Sequence, residues 1–97
     1  MAATTMDIVK LSIPITTNAY DEEISDLIDA AVLDLQTVGI SNAGDHETDP
    51  LLRRAVVTHV RMHFGAPANY DKLLASYEAQ KGQLQLSSDY GGAGDGV

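Results

Sequence analysis

Apolar residues along the chain recur in steps of three and four, and turn-forming residues separate the runs. MAATTMDIVKLSI predicts a short first helix through Leu11, with Thr4 or Thr5 as its cap. Pro14 ends it, because the residue before a proline is pushed out of the helical region, and PITTNAY reads as a linker. A second helix follows Asn18, which stands three residues before Asp21 in a capping arrangement. Ile24, Leu27, Ile28, Ala31, Leu35 and Val38 then form one stripe, with Glu22, Asp26 and Asp29 almost opposite it. Gly39 supplies the stop.

ISNAGDHET reads as a polar loop, and Asp49-Pro50 is a cap followed by a proline at the first helical position. In LLRRAVVTHVRMHF, residues Leu52, Ala55, Val56, Val60 and Phe64 share one face, and Arg54 and Arg61 the opposite one. Gly65 and Pro67 end that helix. Asn69 caps a last element, YDKLLASYEAQ, in which Leu73, Leu74 and Tyr77 are apolar; Gly82 weakens or ends it. QLQLS alternates with period two, which suits a short strand as well as a frayed helix end, and DYGGAGDGV is a glycine-rich tail. The fold class expected is all-α: a small helical bundle, one short N-terminal helix plus three more, with an extended C-terminal arm. Residues 1–86 form the domain and 87–97 a flexible tail.

Charge changes the picture. The chain carries 14 acids against 6 bases, a net charge of −8. Nucleic-acid binders need Lys and Arg to displace condensed counterions, so direct binding is disfavoured, although a like-charged wall beside DNA is not. YDEEISDLIDAAVLDLQTVG holds six carboxylates and no base. A helix has no local need of one sign, since mixed charge solvates it equally well and repels itself less. The absence of Cys rules out a disulfide scaffold and thiolate metal sites. A domain this small often gains stability by associating with copies of itself. No apolar run approaches the roughly 20 residues of a membrane span, and the N-terminus lacks a signal-peptide layout, so a soluble protein made in the cytoplasm is expected.

Little of this is catalytic. His59 and His63 are four apart, which is metal-ligand spacing. Val60 stands where a hydrolytic zinc helix would place Glu, and His46, Asp45 and Glu47 are only remote third ligands. A packing or oligomer contact is the better reading of the pair. Acids facing away from an apolar stripe are not driven apart in pKa as acid–base pairs must be. GGAGDG neither follows a strand nor opens a helix, so it is no phosphate loop. No enzyme, metal or cofactor is expected.

Arg53, Arg54 and Arg61 hold half the basic charge. They either pair with acids of the preceding helix or meet acids of a neighbouring copy, where complementarity would set register. Leu84, Leu86 and Tyr90 either anchor a docking arm or, for the two leucines, finish the last helix's packing.

The order of elements resembles the small head–tail connector (adaptor, or head-completion) proteins of long-tailed bacteriophages. The resemblance rests on a short first helix, DEE leading into LIDAAVLDL and VGI, then DPLLRRAVVTHVRMHF, a break at GAPANY, and LLASYEAQ. It covers roughly residues 5 to 86. It implies a helical subunit that assembles, commonly as twelve copies, into a ring beneath the portal protein of the virion. The ring would extend the DNA channel, let DNA pass without specific binding, and present a docking surface to neck and tail proteins. Glu22, Asp26 and Asp29 would then lie on the channel wall or the outer rim. Two rival readings stay open: a small acidic regulatory module of antitoxin or DNA-mimic type, and a metal-dependent enzyme using His59 and His63.

Overall fold

A computed structural model describes residues 3–86 as four α-helices and one 3-10 segment, with no strand among them. The helices are α1 (Thr5–Ser12), α2 (Asp21–Thr37), α3 (Pro50–His63) and α4 (Tyr70–Leu86), and the 3-10 segment Ala43–Glu47 lies between α2 and α3. The architecture is the all-α bundle that the apolar spacing predicts.

Its ends follow the sequence signals in most places. Thr4 caps α1 in a reciprocal box: its hydroxyl accepts from the Asp7 N–H at 3.1 Å, and the Asp7 carboxylate accepts from the Thr4 N–H at 3.1 Å. Asp49 caps α3 by accepting from the Leu51 N–H at 2.9 Å, with Pro50 in the first turn. Gly39 and Gly65 follow α2 and α3 with φ of 95° and 68°, a backbone region that side chains with a Cβ rarely enter. The start of α2 differs from expectation. Tyr20 occupies the cap position with no side-chain bond, and the Asn18 side chain instead accepts from Lys10 Nζ at 3.0 Å. The same ammonium pairs with Asp21 at 2.8 Å, so α1 and α2 are tied by a cation rather than by a cap.

α3 is the axis of the molecule, since α1, α2, α4 and the 3-10 segment all pack on it. Every residue from Ala55 to Val60 is buried, together with Leu52 and Met62. A single apolar face, as the spacing suggested, describes α3 only in part. Neighbours cover it on several sides, so Val57, Thr58 and His59 are enclosed as well. Against it α2 lays Ile24, Ile28, Ala31 and Leu35, while α4 contributes Leu73, Tyr77 and Leu84.

Two segments depart from the sequence reading. ISNAGDHET is not merely a polar loop: Ile40 and Ala43 are fully buried in the core. The segment also clamps α1, because Glu47 accepts from the Thr5 N–H and His46 Nδ1 bonds the buried Thr5 hydroxyl, both at 2.8 Å. Of QLQLS, residues 83–86 are the last turn of α4 rather than an edge strand. Gly82 lies in open space inside that helix and does not end it. Leu84 is 2% exposed and Leu86 is 89% exposed. Leu84 therefore belongs to the core and is unavailable as a docking anchor, while Leu86 projects outward. Tyr90 and the rest of the tail lie outside the described residues.

These two leucines should respond differently to truncation. Leu84→Ala should cost about 2–5 kcal/mol in urea unfolding, the usual range for an emptied core position. Leu86→Ala should stay within about 0.5 kcal/mol of the parent. Equal losses at both positions would contradict the placement.

Candidate interaction surfaces

The basic charge is concentrated by the packing of α3. On the side that α2 does not cover, α1 and α4 flank α3 and leave a groove of about 460 Å³. Ile8, Val57 and Leu73 give it apolar walls, and Arg53, Arg54 and Arg61 give it charge. None of its lining residues comes from α2. Arg53 is anchored, its guanidinium donating to the Glu47 carbonyl at 3.2 Å. Arg54 is exposed and Arg61 half-buried, and among the described residues neither forms an ion pair. Pairing within the chain with acids of α2, one of the two expectations, is therefore not what the arginines do.

A second hollow, of about 280 Å³, adjoins the first at Arg61 and is lined by Ile13, Pro14, Phe64 and Pro67. Phe64 is held there edge-on to Tyr20, with ring centroids 5.5 Å apart.

The acids of α2 face elsewhere. Ile24, Ile28, Ala31 and Leu35 turn the helix so that Glu22, Asp26 and Asp29 are exposed, and none of the three is ion-paired among the described residues. At about 100° per residue Leu33 falls on the same outer stripe, and it is 62% exposed. The sequence reading missed this leucine because it lies outside the apolar stripe.

The histidines belong to a different place, the junction of α2, α3 and α4. His59 is buried, its ring 4.5 Å from that of exposed His63 and 5.2 Å from that of Tyr77. Tyr77 is 2% exposed and donates its hydroxyl to Asp34 at 2.5 Å. Lys81 lies 3.7 Å from the same carboxylate and 4.9 Å from the tyrosine ring. Burial holds the His59 pKa below its ordinary value, and the charges of His63 and Lys81 act in the same direction against the opposing pull of Asp34. Burial and the bond to Asp34 raise the Tyr77 pKa, so its proton stays on and the hydroxyl remains a donor. Among the described residues no group of three His, Asp or Glu is placed to hold a metal ion. His59 is buried and packs inside the fold, whereas His63 is exposed.

No described helix is long and apolar enough to cross a membrane. The geometry thus offers two charged surfaces of opposite sign on a helical scaffold. A family model described as phage connector protein matches residues 6–91, most of the chain. The protein belongs to the phage connector family. Membership gives it a head–tail connector role in general terms, within a family that is structural rather than enzymatic. Among curated proteins and solved structures, nothing matches the chain. In a connector the surfaces that meet other proteins matter most, which turns attention from the histidines to the groove and the acidic stripe.

The buried histidine makes acid stability a test of the junction. Its folded-state pKa lies below the unfolded value near 6.5, so the unfolded chain binds the proton first as pH falls. The contribution is fully present above about pH 6.5 and is lost as pH falls toward the lowered folded value. Urea unfolding between about pH 7.5 and 5 should show stability declining, and His59→Leu should flatten that slope. A parent and variant with the same slope would show that His59 does not titrate differently on folding.

Proposed function

We propose that this connector is the repeating subunit of a ring of about twelve copies, seated beneath the portal of the virion, and that further neck and tail proteins dock on it. The observation that carries the reading is the separation of unneutralised charge on one small subunit. Arginines collect in a groove made by α1, α3 and α4, and carboxylates on the outer stripe of α2. A subunit with two different complementary surfaces builds head-to-tail interfaces, and these close into a ring when the rotation per copy permits.

The net charge supports the second part of the role. Each copy adds −8, so an assembled ring presents DNA with a like-charged wall. Such a wall lacks the surplus Lys and Arg that counterion release requires, and DNA passes without being held. The DNA-mimic reading has no observation in its favour that the connector reading does not already use.

The purified chain, alone at high concentration or added to portal-bearing heads, should reach masses far above a dimer in light scattering. It should also leave duplex DNA unshifted at low salt, where weak basic contacts are strongest. A chain that stays monomeric or dimeric both alone and with portal present would overturn the ring. Salt-sensitive DNA binding would overturn the passive channel.

A further inference from the structure

The acids and the arginines match in spacing as well as in sign. Arg54 and Arg61 are seven residues apart on α3, and Glu22 and Asp29 are seven apart on α2, so each pair spans about 10.5 Å of helix. Leu33 follows Asp29 by one further turn on the same outer stripe. Beyond Arg61 lies the apolar hollow of Ile13, Pro14, Phe64 and Pro67, and Arg61 lines both it and the groove. Only one direction of helix brings all three features together.

We infer that the arginine groove receives the outer stripe of α2 from a second copy of this chain, with that α2 running parallel to α3. In this register Glu22 of one copy meets Arg54 of the next, Asp29 meets Arg61, and Leu33 enters the hollow beside Phe64. Leu33 and the hollow make a desolvated end to the contact, and the ion pairs fix its position along the helix. An antiparallel α2 would pair the charges equally well but would carry Leu33 past Arg54 toward Pro50, away from the hollow. The inference also assigns the acidic stripe: it is covered by the neighbouring subunit rather than lining the DNA channel.

This contact rests on the ring reading, and the test keeps the two apart. The variants are Arg61→Asp, Asp29→Arg, the two combined, and Arg54→Asp combined with Asp29→Arg; each is measured by light scattering beside the parent. The three positions, Asp29, Arg54 and Arg61, carry exposed or half-exposed side chains, and circular dichroism with a melting curve checks that each variant folds as the parent does. Each single change should abolish the large species. Asp29→Arg with Arg61→Asp should restore it, because both pairs at every interface are again of opposite sign. Asp29→Arg with Arg54→Asp should not restore it. Leu33→Ser should weaken assembly at least tenfold in concentration without lowering the melting temperature. Restoration by the Arg54 combination instead would overturn the parallel register. Rings that survive the single reversals would overturn the groove as the receptor while leaving the ring intact. A parent chain that never assembles overturns the ring reading and this contact with it.

Discussion

Enclosure of α3 is the constraint on which the rest depends. Six consecutive residues, Ala55 to Val60, are buried, so helices must approach from more than one side, and the described residues supply three others. α2 covers one side with an aliphatic stripe. α4 and the short α1 take the others, and the α2–α3 connection with its 3-10 segment fills the remaining gap with Ile40 and Ala43. Because α1 is only two turns long, it cannot cover the whole outer side of α3. The groove is what it leaves open, and the arginines of α3 are the residues that fall there.

The same packing keeps opposite charges apart. Turning the stripe of Ile24, Ile28, Ala31 and Leu35 inward sends Glu22, Asp26 and Asp29 outward, with the groove built entirely from other helices. Lys10 and Lys81 neutralise acids at the two ends of α2, at Asp21 and Asp34, but the middle of the outer stripe has no partner among the described residues. Exposed ion pairs are worth only about 0–1 kcal/mol each. Repetition at every interface of a closed assembly makes such small terms matter, and their geometry selects register.

Periodicity made the four helices legible, and the caps at Thr4 and Asp49 with the glycines at 39 and 65 marked their limits. The misses have physical causes. Ile40 and Ala43 are isolated apolar residues in a polar run, so no periodic signal announces their burial. Asn18 had the right spacing for a cap, yet Lys10, eight residues earlier, competes for its side chain. QLQLS alternates by accident of composition, and the α4 hydrogen-bond ladder carries through Gly82 because neighbouring helices hold it in place. At the surfaces, the charge of Arg54 and Arg61 was visible in sequence but the groove was not, because three separated segments build it. Leu33 was invisible for the opposite reason: it is a single apolar residue on a face defined by acids.

Assembly driven by separated charge should weaken with salt, whereas assembly driven by apolar burial should not. Sedimentation of the parent chain at fixed concentration, from about 0.05 M to about 1 M sodium chloride, spans screening lengths from well above to well below the reach of a side-chain pair. The account predicts large species at the low end that fall toward the monomer as salt rises. Mass that is constant across the range, or that grows with salt, would contradict it.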